Sequence, residues 1–346
     1  MQSDDHPLGK WLRFGGNIVA LTYFIAVFLF AWYIASADLF PIWAAGQGIL
    51  QGHNPYGPEV QQIIERDWNN FSRYEQAGVS YPLPLILALL PFAFLPYQAA
   101  ERVFVIVVLF SIVGVSRLIK LHWGSAIGFA PLVFGALLAQ ITSLWVVLAM
   151  VAIYAVEQRK SFLIGLCIAL LPMKPQSGLL IALALYAWCI WRDRKALYWA
   201  TGLGAVIWLG SVALMPTWPL AWLGQVQKYA DLIPSMLFVT YLPALPFIIA
   251  ILWSNREPFA WLTMLNYILL PQVGGYSPAM LLPLLRYLEG WVLWVTVLST
   301  NLIWLALPIP SDPALITWTV WLPLGVGTLL QRYLAQRKTT QPAQVA

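Results

Sequence analysis

Residues Ser161–Trp191 read SFLIGLCIALLPMKPQSGLLIALALYAWCIW, an apolar run with the segment Pro172-Met-Lys-Pro-Gln176 at its middle. As one helix the run would measure roughly 46 Å at about 1.5 Å per residue. The hydrocarbon core of a bilayer is only about 30 Å thick, and proline breaks a helix because it lacks the backbone donor. The run therefore predicts a hairpin of two short membrane helices with Lys174 at its tip.

Basic residues flank both ends of this hairpin. Arg159 and Lys160 precede it, and the cluster Arg192–Lys195 follows it. Loops rich in lysine and arginine stay in the cytoplasm. Both ends of the hairpin are therefore predicted to be cytoplasmic, which puts Lys174 near the outer face of the membrane.

The first apolar span, Asn17–Ala35, leads to an acid on the same outer face. Lys10 and Arg13 stand before the span and predict a cytoplasmic N-terminus. The triplet Ala35-Ser-Ala37 resembles a signal-peptidase site, but the span is longer than a usual signal core. We expect it to be retained as a transmembrane helix that delivers Asp38 to the outside.

The composition places the whole chain in the membrane class. With 60 % hydrophobic and 10 % charged residues, it is not a soluble domain. Apolar runs recur from Asn17 to Leu330 and predict an all-α polytopic membrane protein of about 11–13 helices. The net charge of +5 comes from short clusters between spans, which is typical of an orientation signal and not of nucleic-acid binding.

One transmembrane domain is predicted over residues 1–346, with a cytoplasmic N-terminus at 1–16, an extracytoplasmic catalytic loop at 36–82 and a cytoplasmic tail at 331–346. The segment 216–237 is expected to be an aromatic outer loop. The further spans that we expect are Val103–Ile119, Gly124–Ala139, Ile141–Val156, Leu197–Met215, Val239–Trp253, Phe259–Leu270, Met280–Leu288, Trp291–Leu307 and Leu315–Leu330.

The catalytic loop predicts two short helices. In Pro41–Leu50, apolar side chains fall on one side, which suits a helix lying in the interface. A second helix is predicted over Glu59–Tyr74 from its helical spacing of apolar residues. The following piece, Leu83–Ala99, contains three prolines. We expect it to be re-entrant; a full crossing is the alternative.

Asp38 and Lys174 are the two candidates for chemistry, and each has a structural alternative. A carboxylate just outside a span can act as a general base on a hydroxyl, or it can cap a helix end. An ammonium inside an apolar run needs a counter-charge or a cavity, and a phosphate would suit it. The alternative for Lys174 is a lysine that extends to the membrane surface.

Other polar residues give weaker signals. Arg66, Arg73 and Lys228 are placed in outer loops, where they can meet an anionic headgroup. The only histidines, His6, His53 and His122, are far apart, so no metal site is predicted. No glycine-rich phosphate loop occurs, so neither a nucleotide nor another cofactor is expected. The cysteines are expected to be packing residues.

Several short motifs follow one another in a fixed order. They are Asp38, Ile42-Trp-Ala-Ala45, Gly52-His-Asn-Pro-Tyr56, Tyr81-Pro-Leu-Pro84, Ala139-Gln140, Gly165 with Lys174-Pro-Gln176, and Ser277-Pro278. Together they resemble the polyprenyl-phosphate-sugar-dependent glycosyltransferases of the GT-C superfamily, in particular glycosyltransferase family 87. The resemblance covers roughly residues 30–190 well. In that family a Gly-Gln stands where this chain has Ala139-Gln140, and a polar segment often follows the late Ser-Pro.

The resemblance implies a GT-C-like helix bundle with extracytoplasmic interfacial helices after the first span. It implies transfer of a mannose-like sugar from a polyprenyl-phosphate donor to a hydroxyl of an extracytoplasmic glycan or glycolipid, with inversion and without a metal. Asp38 would be the catalytic base. The substrate-binding residues implied are Lys174, Arg66, Arg73, Tyr56, Gln140, Gln176 and Tyr276. The alternative function is a lipid-linked-sugar flippase or transporter, or a non-catalytic lipid-binding membrane subunit.

Overall fold

The computed structural model describes residues 7–33, 38–68, 78–232, 244–254, 276–306 and 316–340. These residues form helices joined by short turns, and no strand occurs within the described ranges. An all-α fold is therefore confirmed for this part of the chain. Among the described helices, three are long and apolar enough to cross a membrane: Pro7–Phe30, Tyr97–Leu118 and Arg194–Leu214.

Seventeen α-helices are numbered here in chain order within the described ranges. They are α1 Pro7–Tyr33, α2 Phe40–Leu50, α3 Pro58–Trp68, α4 Leu83–Ala88, α5 Leu90–Ala93, α6 Tyr97–Leu118, α7 Trp123–Ile127, α8 Ala130–Leu137, α9 Thr142–Glu157, α10 Ser161–Leu170, α11 Pro175–Arg192, α12 Arg194–Gly204, α13 Gly210–Leu214, α14 Trp218–Leu232, α15 Leu245–Ser254, α16 Gly290–Thr300 and α17 Leu322–Thr340. Short 3₁₀ segments cover Leu171–Met173, Ser277–Tyr287 and Asn301–Ala306, and π-helical turns cover Ala205–Leu209 and Thr317–Trp321.

Helices α9, α10 and α11 run back and forth through the centre of the molecule and pack against one another. The break between α10 and α11 falls at Lys174, as the sequence predicts, because Pro172 lies in the 3₁₀ turn Leu171–Met173 and Pro175 begins the next helix. Proline is favourable in a first turn, where its missing N–H is not needed. The hairpin is thus present, and Gln140 and Lys174 lie at the same end of it.

The opposite end of these helices carries basic residues, and we call it the arginine end (Arg192, Arg286 and Arg332). We call the other the Asp38 end (Asp38, Gln140 and Lys174). Contacts that join helix termini at the arginine end are the Glu157–Arg286 ion pair, the Ser161–Asp193 hydrogen bond, a hydrogen bond from the Glu289 N–H to Gln331, and one from Arg332 to the Trp253 carbonyl. Which side of a membrane each end faces stays a prediction.

Helix α2 is more deeply packed than expected. Ile42 and its neighbours Ala44 and Ala45 are all buried, so the helix does not expose a single apolar face to an interface. Gly46 allows this packing, because a Cβ there would lie 2.7 Å from the Ala93 Cβ. The predicted interfacial helix exists, but it is enclosed by the protein.

The proline-rich piece that follows the catalytic loop stays beside α2. It forms the short helices α4 and α5, which both pack on α2, and the Trp43 indole donates to the Leu95 carbonyl at 2.9 Å. Tyr97, at the start of α6, packs against the Phe40 ring with centroids 4.9 Å apart. These contacts keep the piece beside α2; that it is re-entrant stays a prediction.

Two expected elements differ in the structure. The expected span Gly124–Ala139 is broken into α7 and α8; at the break, Thr300 accepts from the Ala130 N–H and Asn301 donates to the Gly128 carbonyl. A break is tolerated where neighbouring side chains satisfy the freed backbone groups. The expected outer loop 216–237 instead contains helix α14.

Other expected elements are reproduced only in part or lie outside the described residues. Besides the three helices of membrane-crossing length, three further apolar helices of the described part, including α9, are 10–17 residues long; the count of about 11–13 membrane helices stays a prediction. The expected span Met280–Leu288 forms a 3₁₀ segment. The expected span Phe259–Leu270, Arg73 and the end of the predicted Glu59–Tyr74 helix lie outside the described residues.

Helix α1 presents a stripe of solvent-accessible apolar side chains on its outer side. Exposed residues recur at helical spacing along it: Trp11, Phe14, Ile18, Leu21, Ile25 and Phe28. A soluble monomer rarely leaves so large an apolar surface uncovered, whereas lipid covers such a surface without cost. The stripe is what a membrane-facing helix requires.

Candidate functional site

Asp38 stands in the turn that leads into α2. The turn is held by the Trp43 N–H, which bonds to the Leu39 carbonyl at 3.1 Å, and by the burial of Leu39 and Phe40. The residue as a whole is half-buried. Asp38 is therefore fixed at the edge of the core and remains partly open.

Gln140 is positioned by the turn between α8 and α9. Its N–H bonds to the Gly135 carbonyl at 2.7 Å, and its carbonyl accepts from the Ser143 N–H at 3.1 Å. The preceding Ala139 has φ = 47°, a left-handed conformation that is unusual for a residue with a Cβ. The turn directs a 3 % exposed amide side chain into the core.

Lys174 is held between the 3₁₀ turn Leu171–Met173 and α11. The Trp145 indole donates to the Leu171 carbonyl at 2.8 Å, which satisfies a backbone group freed by the break. Gly178 packs directly on the Leu171 carbonyl, where a Cβ would collide with it. The lysine side chain is only 6 % exposed.

The three side chains form one hydrogen-bonded chain. Gln140 Nε2 donates to Asp38 Oδ2 at 2.8 Å, and Lys174 Nζ donates to Gln140 Oε1 at 3.0 Å. The acid and the ammonium therefore share one site but are linked through an amide. The structure brings together these three of the residues that the sequence singled out.

The electrostatics of the site are set mainly by burial. Burial raises the pKa of Asp38 to about 6, against the opposing effects of the Gln140 hydrogen bond and of the nearby Lys174 charge. Burial lowers the pKa of Lys174 to about 7, and the Asp38 charge opposes this shift. Desolvation disfavours the charged form of either group, so both titrate close to neutral pH.

Two tyrosines form the side of the site toward the catalytic loop. The Lys174 Nζ lies 6.0 Å from the centroid of the Tyr81 ring, within range of a cation–π interaction. The Tyr56 hydroxyl donates to the Tyr81 carbonyl at 2.8 Å. Tyr56, predicted to bind substrate, thus holds the segment that carries Tyr81.

The remaining predicted residues have other surroundings. Arg66 is exposed and pairs with its neighbour Asp67 at 2.8 Å. Gln176 is half-buried in the first turn of α11. The Tyr276 ring stacks on Phe134, with centroids 6.5 Å apart and planes at 18°.

Sequence reasoning missed Tyr81 and Trp145 as members of the site. Both are aromatic residues among many, and nothing in their spacing separates them from packing residues. The Tyr81-Pro pair was noted as part of a motif, but its contact with Lys174 depends on the fold. Trp145 acts on the backbone of Leu171, which no side-chain pattern reveals.

The arrangement offers a half-buried carboxylate, a buried amide and a buried ammonium, which suit proton abstraction beside a developing negative charge. Within the described residues, no group of three or more histidine, cysteine, aspartate or glutamate side chains could hold a metal ion. Both cysteines are buried and unlinked.

Compared with known proteins, the chain matches no protein-family model, no curated protein and no solved structure. What the site does must therefore be derived from its own side chains.

Proposed function

We propose that the protein is a membrane glycosyltransferase that transfers a mannose-like sugar from a polyprenyl-phosphate donor to a hydroxyl of an extracytoplasmic glycan or glycolipid. The observation that carries the proposal is the chain Asp38–Gln140–Lys174, which puts a basic carboxylate and a cation in one partly open site. Ionisable side chains buried between apolar helices are expensive and usually serve function.

The proposed step is a single displacement with inversion. Asp38 takes the proton of the acceptor hydroxyl, whose oxygen attacks the anomeric carbon of the donor sugar. The bond from that carbon to the phosphate oxygen breaks, and its electron pair leaves with the polyprenyl phosphate. Lys174 stabilises the negative charge that grows on the leaving phosphate, an interaction that strengthens toward the transition state.

The proposed setting is an integral, multi-pass protein of the plasma (inner) membrane, with the Asp38 end on the extracytoplasmic face of a GT-C-like bundle. The apolar stripe on α1 and the three membrane-length helices support a membrane location. The distribution of basic residues to the opposite end supports the orientation.

The test uses the full-length protein in detergent with polyprenyl-phosphate mannose and an alkyl glycoside acceptor. We expect a disaccharide product with inverted anomeric configuration, and none from Asp38→Asn protein of equal thermal stability. Absence of transfer by the parent protein, or equal transfer by the variant, would overturn the proposal.

A buried charged pair is also found in transporters, which makes lipid-linked-sugar movement the second candidate. Transfer in detergent needs no membrane gradient and excludes pure transport. Movement of a labelled lipid-linked sugar across vesicles holding the protein, with no transfer in detergent, would favour the flippase instead.

A further inference from the structure

We propose that Gln140 is a positioning residue, which holds Asp38 and Lys174 apart so that the carboxylate stays basic and the ammonium stays available to an anion. The inference rests on the proposed sugar transfer. It replaces the expected role of Gln140 in binding substrate, because both polar atoms of its amide have partners within the protein.

The chemistry of the partners fixes the orientation of the amide. An ammonium only donates hydrogen bonds, so Lys174 must face the amide oxygen Oε1. The amide nitrogen then faces Asp38, where an ionised carboxylate accepts. The Thr142 N–H also lies 3.4 Å from Oε1, which further favours this orientation over the flipped one.

The backbone holds Gln140 rigidly in this place. Its N–H and carbonyl are both bonded within the turn, and the left-handed Ala139 sets the direction in which the chain enters α9. A side chain with 3 % exposure has no room to adopt other rotamers freely. Gln140 is therefore built to separate two charges at a fixed spacing.

The separation matters because a direct ion pair would disable both charges. An ammonium in contact with a carboxylate stabilises its charged form and lowers its pKa by about 1–3 units, which makes it a weaker base. The Gln140 amide occupies Asp38 Oδ2, and no described residue bonds to Oδ1. The geometry points to Oδ1 as the atom that receives the hydroxyl proton.

Few other charges act on the pair. Among the described residues, Lys174 is the charged group that influences Asp38, and Asp38 is the one that influences Lys174. The Tyr81 ring faces Lys174, and the Tyr56 hydroxyl is committed to the Tyr81 carbonyl. A change at Gln140 should therefore appear directly in the titration of Asp38.

The deciding variant is Gln140→Ala, measured by infrared difference spectra of the full-length protein across pH. The band of the protonated Asp38 carboxyl is assigned by its loss in Asp38→Asn. If Gln140 is a spacer, the flexible lysine chain closes on the carboxylate and the midpoint falls by about one pH unit or more. If Gln140 is only a hydrogen-bond donor, its removal raises the midpoint, and the proposal is wrong.

Two further variants keep the test decisive if Gln140→Ala does not fold. Gln140→Glu keeps an acceptor for Lys174 but puts a second carboxylate beside Asp38, so the midpoint should rise; an unchanged midpoint contradicts the proposal. Gln47→Ala is the matched control, because Gln47 joins α2 to α5 by donating to the Ala93 carbonyl and makes no hydrogen bond to Asp38 or Lys174. It should leave the midpoint where it is.

Kinetics separate positioning from substrate binding. We expect Gln140→Ala to lower kcat by about 10- to 100-fold with the donor KM within about twofold of the parent value. A raised KM with unchanged kcat would mean that Gln140 binds substrate and would overturn the proposal. If the parent protein transfers no sugar, the proposed function fails, while the infrared midpoints still report on the spacer.

Discussion

The two ends of the central helices handle opposite charges in opposite ways. At the arginine end, Glu157 pairs directly with Arg286, and Asp193 caps α12 by accepting from the Ala196 N–H at 3.0 Å. At the Asp38 end, a half-buried acid and a buried lysine lie close together, yet an amide lies between them.

Under the proposed function, this difference distinguishes charges that support the fold from charges that take part in the reaction. A carboxylate at a helix N-terminus satisfies backbone donors and stabilises the helix. A buried charge without a direct counter-charge costs free energy, and such costs are retained mainly at functional sites. Under the proposed function, the molecule places stabilising charges at one end and reactive ones at the other.

The largest expected effect comes from substituting one acidic residue at each end, in separate variants. Asp38→Asn should lower transfer by about 10³-fold, since a positioned general base contributes on that scale, with little change in the unfolding midpoint. Asp193→Ala should do the reverse: it removes a helix cap worth about 1 kcal/mol and leaves turnover per folded molecule unchanged. Initial rates and thermal unfolding of both variants, measured side by side, test whether the two effects are opposite. A stability loss in Asp38→Asn equal to that in Asp193→Ala would contradict this expectation.

A lysine at each end gives the next comparison. Lys174→Met should lower kcat by about 10²-fold, as removal of one preorganised charge does in other sites. Lys195→Met, an exposed lysine at the arginine end, should change kcat by less than about twofold because surface charges contribute little. Steady-state kinetics at varied donor concentration distinguish the two variants. Equal losses of kcat would mean that each lysine acts only through the net charge of the protein.

The pH dependence of the parent protein should be bell-shaped. Asp38 must be ionised to accept a proton, and its raised pKa of about 6 means that activity falls below that pH. Lys174 must be protonated, and its lowered pKa of about 7 means that activity falls above that pH. Each limb should approach about tenfold per pH unit in kcat/KM, and the two midpoints belong to the coupled pair. Lys174→Met should lose the basic limb; a profile flat to pH 9 in the parent would refute the assignment.

The smallest expected effect concerns backbone strain at the two ends. Arg159, at the arginine end, has φ = 52° and is exposed, so Arg159→Gly should stabilise the protein by about 0.5–1 kcal/mol through relief of left-handed strain. Ala139→Gly relieves similar strain but removes a buried methyl, worth about 0.8 kcal/mol, so its net effect should be near zero. Parallel thermal unfolding distinguishes them; a larger gain for Ala139→Gly would be unexpected.

The hairpin was predictable because its determinants are local. Two prolines around Lys174 and the excessive length of the run locate the break without any knowledge of the rest of the chain. Helix α14 was not predictable from the aromatic composition of its segment, because its tryptophans find tertiary partners: the Trp222 indole donates to the Ser80 carbonyl at 3.0 Å. Packing overrides local preference in such cases.

The site was predictable in its members but not in its connections. Asp38 and Lys174 stand out as charges beside apolar runs. The link between them does not, because Gln140 is 102 residues from Asp38 and 34 residues from Lys174 in sequence. The role of Arg66 was readable in principle, since Asp67 follows it directly, but an exposed pair of this kind was interpreted as a headgroup contact. A buried amide shows its partners only when the fold is known.

The unequal lengths of the apolar helices have a consequence for the surrounding lipid. The 16 residues of α9 extend about 24 Å at about 1.5 Å each, whereas the 24-residue apolar part of α1 extends about 36 Å. Because α9 is buried among other helices, the longer α1, whose outer side is exposed, is the one that meets the lipid. In a bilayer of about 30 Å a helix of that length tilts, so the acyl-chain length of the surrounding lipid should set the tilt of α1.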